Sequence, residues 1–335
     1  MTDRPGAILG RRYKLEYCLG AGAMARVWCA TDLRTGERVA IKRVLESVRD
    51  PVDTTARFLD EIRVTRTVEH PHVAAGLDHG YDGGPFLVLE WVDGVDAHAL
   101  VSRAERVPVA AGAVIALDLA DALAAVHAHR TGVLHRDIAP GNVLLSRDGR
   151  ALLADFGLAR WLACPRSQPG HIVVGKLGYL PPEVLRGRVH GVRADLYGLG
   201  ATLWELLAGR RLWAHETDPT ARARAWLHSP RMPLSEAAPE VPAQLAAVVD
   251  RCLAMDPALR PANARALREA LERALARDRI TPCRDELACS VWAASRDLPV
   301  LGPTTRVRRS RAAYVTVSAM AVPATIRPRA IAAAG

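Results

Sequence analysis

Residues 13 to 45 alternate apolar and polar positions around glycine turns, the period-two signature of antiparallel strands. From Arg57 to Glu69 the spacing becomes helical, with Phe58 and Ile62 on successive turns, and Phe86 to Val92 is an apolar strand that runs into Asp93-Gly94. Ala110 to His129 is alanine-rich with apolar residues at helical spacing, which reads as a scaffold helix. Two short apolar runs, Val143-Leu144-Leu145 and Ala151-Leu152-Leu153-Ala154, flank Asp148-Gly149 and predict a hairpin. From Asp278 onward Pro, Arg, Thr and Ala follow one another without lasting periodicity. That stretch reads as a disordered tail, with a short ordered piece around Val291-Trp292.

With 335 residues, half of them apolar, the chain can bury a large core and is expected to form one two-lobed unit plus an appendage. The net charge of +9 suggests an anionic partner only until it is located. The tail holds nine arginines against four acids, so the excess says little about the body, and no specific nucleic-acid partner is expected. No secretory leader is read at the N-terminus, and no transmembrane segment is expected, the best candidate at Ala312 to Ile326 being short and broken by Thr316, Ser318 and Pro323. Six cysteines without CxxC pairing fit reduced thiols, and the expected location is cytoplasmic. Oligomeric state is not legible.

The chemistry concentrates in His135-Arg136-Asp137-Ile138-Ala139-Pro140-Gly141-Asn142 and Asp155-Phe156-Gly157. Phosphoryl transfer needs a carboxylate to orient the attacking hydroxyl and oxygen ligands to hold Mg2+ across the phosphates. Asp137, Asn142 and Asp155 have the types and spacing for those tasks. Upstream, Leu19-Gly20-Ala21-Gly22-Ala23-Met24-Ala25-Arg26-Val27 lies between two strands, where glycines let backbone N–H groups approach phosphate oxygens. Val39-Ala40-Ile41-Lys42 then supplies a lysine, and Glu61 or its neighbour Asp60 an acid to hold it.

In this order the motifs resemble the signature of protein kinases, most closely the bacterial eukaryotic-like (Hanks-type) serine/threonine kinases, over about Tyr13 to Ala276. The resemblance implies an α+β, two-lobed fold: a kinase domain at 13–276, with an N-lobe at about 13–90 and a C-lobe at about 93–276, and the basic tail at 277–335. It implies ATP and Mg2+ as cofactors and protein hydroxyl groups as substrates. It also favours Glu61 as the partner of Lys42, and assigns nucleotide contacts to residues 19 to 27, Ala40, Lys42, the Glu90 carbonyl, Val92, Asp96 and Leu144. Leu89 takes the gatekeeper position, Asp195 is to hold the catalytic-loop backbone, and Glu183 in Pro181-Pro182-Glu183 is to pair with Arg260. Ser167 is the candidate phosphosite between Asp155 and Glu183.

The chain also departs from the family pattern. The lysine expected two residues after the catalytic Asp is Ala139, and the threonine expected near Gly175 is Lys176, so Lys176 is expected to bring its ammonium to the space at Ala139. Thr65 and Gly76 replace large apolar side chains, which suggests a looser contact behind the active site. An active serine/threonine kinase and a nucleotide-binding pseudokinase acting as scaffold both remain open. Retention of a catalytic acid favours the former. A small-molecule kinase of the aminoglycoside-phosphotransferase kind ranks last, because such enzymes usually carry H-G-D.

Overall fold

The computed structural model describes residues 3–21, 25–45, 51–103, 106–129, 132–157, 160–161, 172–173, 176, 178–188, 191–212, 231–296 and 317–318. The first part is a six-stranded antiparallel sheet built from β1 (Ile8–Leu9), β2 (Tyr13–Ala21), β3 (Ala25–Asp32), β4 (Arg38–Val44), β5 (Gly76–Tyr81) and β6 (Pro85–Glu90), in the order β1-β2-β3-β4-β6-β5. Register and pleat divide its side chains. Trp28, Ile41 and Val88 align on one face and pack with Tyr13, Leu15 and Phe86. Val27, Lys42 and Leu87 align on the other, which helix α1 (Pro51–Thr67) covers with Phe58 and Ile62. The helix starts six residues before the expected Arg57, because Pro51 opens it, and proline suits a first turn whose N–H is unpaired anyway.

Thr65 and Gly76 lie in close contact behind the active site. A Cβ on Gly76 would lie 3.0 Å from the Thr65 carbonyl oxygen, so the small residues let the backbones of α1 and β5 approach directly.

The second part begins with β7 (Gly94–Asp96) and α2 (Ala97–Val101), followed by α3 (Val109–Ala128) and the short β8 (Val133–Leu134). A hairpin of β9 (Val143–Ser146) and β10 (Ala151–Leu153) pairs through β9 with β7. Beyond it come α4 (Pro182–Leu185), α5 (Val192–Ala208), α6 (Leu234–Ala237), α7 (Ala243–Cys252) and α8 (Ala264–Arg277). Their apolar faces form one large core with α3 at its centre. By length and composition α3 would suffice to cross a bilayer, which the expectation about apolar runs overlooked. Two thirds of that window is nevertheless buried inside the protein, as for a core helix.

The expected tail needs a correction. Residues 284–296 form a further helix, α9 (Arg284–Arg296), whose Leu287, Val291 and Ala294 are buried in the same core. Its apolar positions recur at i, i+4 and i+7, a helical stripe hidden among arginines and small residues. Further on, Val317–Ser318 pairs antiparallel with Ile172–Val173.

Candidate active site

The cleft between the two parts is lined by the sheet face that carries Lys42. The cleft-facing Val27, Ala40 and Leu89 are half-buried, whereas Trp28, Ile41 and Val88 on the opposite face are buried. From below, Leu144 is half-buried between buried Val143 and Leu145. Glu90 ends β6, where its N–H donates to the Ala75 carbonyl at 3.0 Å, and Val92 follows in the connection, also half-buried. Leu19 and Arg26 are exposed while Gly20 has open space where a Cβ would point. Residues 22–24 of this turn lie outside the described residues, as does Ser167. Asp96 is a half-buried N-cap rather than an exposed helix start: its Oδ1 accepts from the Ala99 N–H at 2.9 Å.

Lys42 Nζ donates to Glu61 Oε1 at 2.6 Å and to Asp155 Oδ1 at 2.7 Å, so one ammonium ties α1 to the start of the Asp155-Phe156-Gly157 turn. Asp60 instead faces Arg63 near the surface. Burial alone would lower the Lys42 ammonium, but the Asp155 and Glu61 carboxylates outweigh it and hold it above its usual range. Burial likewise opposes ionisation of Asp155. Lys42, assisted by Lys176 and the Gly157 N–H, overrides it and keeps that carboxyl well below the usual range. Glu61 is pushed the other way, up to about 7, by burial that Lys42 only partly offsets. The Asp155 backbone adopts φ 64°, a left-handed conformation uncommon for a residue with a Cβ, and Gly157 makes the turn possible. A Cβ there would lie 2.9 Å from Asp155 Oδ1 and 3.1 Å from Lys42 Nζ.

The other half of the site hangs on Asp195 at the start of α5. Its buried carboxylate accepts the backbone N–H groups of His135 and Arg136 at 2.9 and 2.8 Å, and it pairs with His127 Nε2 at 2.9 Å. The loop so held presents Asp137, whose carboxyl is raised by burial against the opposing charge of Lys176. Asn142 turns its amide nitrogen onto the Asp137 carbonyl and Oδ2, at 2.7 and 2.8 Å. Its oxygen accepts from Lys176 Nζ at 2.6 Å, and the same ammonium lies 3.4 Å from Asp137 Oδ2. Ala139, two residues after Asp137 in the same loop, is fully buried. Farther out, Arg260 reaches Glu183 with Nη1 and Nη2, at 2.7 and 2.8 Å.

The structure thus brings Lys42, Glu61, Asp137, Asn142, Asp155 and Lys176 to one cleft. The donor set fits a hard divalent cation, since Asn142 and Asp155 offer an amide oxygen and a carboxylate oxygen, the hard ligands such an ion takes, and these now accept from Lys176 and Lys42. Sequence reading did not assign His127 its place beside Asp195, because a histidine on an alanine-rich helix carries no local signal. Nor did it single out Asp118 and Arg284, which meet across 166 residues.

A model described as the protein kinase domain matches residues 13–272. The chain belongs to the protein kinase family. Among its relatives in this family is the serine/threonine-protein kinase PkaA of Streptomyces coelicolor, 35% identical over 268 residues, which are 76% of this chain and 48% of PkaA. The serine/threonine-protein kinase PknA of Mycobacterium tuberculosis is 30% identical over 334 residues, 97% of this chain and 75% of PknA. PknJ of the same organism is 35% identical over 251 residues, 73% of this chain and 42% of PknJ. The chain therefore spans about half the length of PkaA and less of PknJ. Its kinase domain groups with the bacterial serine/threonine kinases, and its two-lobed α+β fold is the one the family implies.

Proposed function

We propose that this protein is a serine/threonine protein kinase that transfers the ATP γ-phosphoryl group to hydroxyls of protein substrates. The observation that carries the reading is the single ammonium of Lys42 shared by Glu61 and Asp155, which aligns the two halves of the cleft. Val27, Ala40 and Leu144 would enclose the adenine, and the Glu90 carbonyl and Val92 backbone would bond its edge. Gly20 and Ala21, with residues 22–26, would cover the phosphates. Asp96 would offer the ribose its remaining oxygen, because Oδ1 is engaged in capping α2.

Asn142 and Asp155 would hold Mg2+, which when bound neutralises phosphate charge and fixes the geometry of transfer. Asp137 accepts a hydrogen bond from the acceptor hydroxyl and aims its oxygen at phosphorus. The new O–P bond forms as the bond to the departing ADP oxygen breaks, and the hydroxyl proton leaves toward Asp137. Lys176 supplies positive charge beside Asp137 and would take the part of the lysine that Ala139 replaces. Arg136, next to Asp137, is the residue we assign to a phosphate on Ser167. The five described free cysteines and the need for ATP support a cytoplasmic site of action.

Purified protein incubated with Mg-ATP and a generic protein acceptor, beside Asp155→Ala, tests the proposal. Transfer by the wild type that Asp155→Ala lacks is the expected result. Wild type that binds Mg-ATP but transfers nothing would make the chain a nucleotide-binding pseudokinase.

A further inference from the structure

Helix α9 lies beyond the region matched by the family model, yet it touches the element that spaces the candidate metal donors. The β9–β10 hairpin has Asn142 immediately before its first strand and Asp155 two residues after its second. At that open end the Ala154 N–H donates to the Asn142 carbonyl at 2.9 Å, so the hairpin ladder sets the distance between the two donors. One side of the hairpin is fixed by β7. The other is fixed by the 72–74 segment, where the Leu153 N–H donates to the His72 carbonyl at 2.8 Å and the Ala74 N–H to the Leu153 carbonyl at 2.9 Å.

The turn at the closed end is held by α9. Arg284, the first residue of that helix, donates from Nη1 and Nη2 to the two oxygens of Asp118, each at 2.9 Å, and from Nη1 to the Gly149 carbonyl at 2.9 Å. Asp118 sits buried in the middle of α3, where its Oδ2 also accepts the Ala151 N–H at 3.1 Å and its Oδ1 lies 3.3 Å from His72 Nε2. A planar guanidinium fork suits this bidentate contact, and lysine could make only part of it. The backbones are equally close. A Cβ on Gly149, whose φ is +78°, would fall 2.2 Å from the Arg284 carbonyl oxygen. Two residues before Gly149, the Arg147 guanidinium lies over the half-exposed Trp292 ring, 4.2 Å from its centroid.

We propose that Arg284 is a positioning residue: through Asp118 and the Gly149 carbonyl it clamps the closed end of the hairpin and so fixes the spacing of Asn142 and Asp155 at the open end. The role as a metal-spacing clamp rests on the kinase reading, whereas the clamp itself does not. In a two-stranded element the register and twist at one end are transmitted to the other by the ladder, and a short hairpin has little stability without flanking support. Outer residues that orient metal-binding groups commonly alter metal affinity without touching the metal.

The test uses the full chain as wild type, Arg284→Met, Arg284→Lys and Asp118→Asn. Amide hydrogen exchange is followed across 143–153 and across α5, and the Mg2+ concentration that gives half of the ATP-dependent thermal shift is measured in parallel. Arg284→Met is expected to speed exchange at Ala151 and its hairpin neighbours while α5 is unchanged, and to raise the Mg2+ requirement about tenfold. Arg284→Lys should fall between, and Asp118→Asn should resemble Arg284→Met. Unchanged hairpin exchange in Arg284→Met would overturn the clamp. Faster exchange spread equally through α5 with the same Mg2+ requirement would overturn the positioning role and leave ordinary stabilisation. A wild type with no Mg-ATP shift would instead remove the kinase reading, and the metal-spacing role with it.

Discussion

Lys42 offers one ammonium to two carboxylates, and in a desolvated cleft one positive charge cannot compensate both. The more deeply buried of the two, Glu61, therefore holds its proton up to about 7, above its ordinary value of 4.5. Because the folded state binds that proton more tightly than the unfolded chain, stability is lost as pH rises from about 4.5 to 7. Melting temperatures of wild type should fall across that window relative to Glu61→Gln, and parallel curves would contradict the assignment. Lys42→Ala and Asp155→Ala should each lose the Mg-dependent thermal shift by ATP, whatever the loss of the Lys42 ion pairs does to their starting melting temperatures. At the acceptor side, Lys176→Thr is expected to lower kcat about 100-fold with little change in ATP affinity, because a charge aimed at the transferred group acts mainly in the transition state. Ala139→Lys combined with Lys176→Thr should restore much of that loss, and steady-state kinetics of the three proteins decide it. These residues were legible because each belongs to a short local motif. The Asp118–Arg284 contact was not, since neither residue carries a local signature and only the tertiary fold brings them together.

Between elements, the buried arginine of the loop before α8 joins three segments. Arg260 binds Glu183 in α4, the Arg193 carbonyl in the first turn of α5 and the Ala254 carbonyl after α7. Removing one member leaves a buried charge without its partner, so Arg260→Met should cost about 3–5 kcal/mol in denaturant unfolding, and a loss below 1 kcal/mol would mean the pair is dispensable. Strands and helices with regular apolar spacing, such as β3, β4 and α3, could be placed from sequence alone. The start of α1 could not, because the stretch before Arg57 has no apolar stripe and its helical state follows from Pro51 and from packing of the later turns. Of α9 only the ordered piece around Val291-Trp292 was legible: three buried positions among thirteen residues are too sparse a stripe to show the whole helix against a composition typical of tails.

For the molecule as a whole, the packed body extends through Arg296 instead of ending near residue 276. Trypsin acting on the native full chain should therefore spare Arg284, whose guanidinium is engaged and whose backbone opens a packed helix; early cleavage there would argue against this boundary. The position of α3 has a consequence for biosynthesis. Gly112 lets Leu207 of α5 lie against the helix, and the Cys283 N–H donates to the Ala110 carbonyl, so the segments that cover α3 come from far downstream. At ordinary translation rates α8 and α9 follow α3 by roughly 10–30 s. Throughout that interval the face of α3 that α8 and α9 later cover stays exposed on the nascent chain, within a twenty-residue helix that is long and apolar enough, by length and composition, to cross a membrane. A message cut short before Ala264 would leave that surface permanently uncovered, and its product should appear with membranes or aggregates in a fractionated lysate.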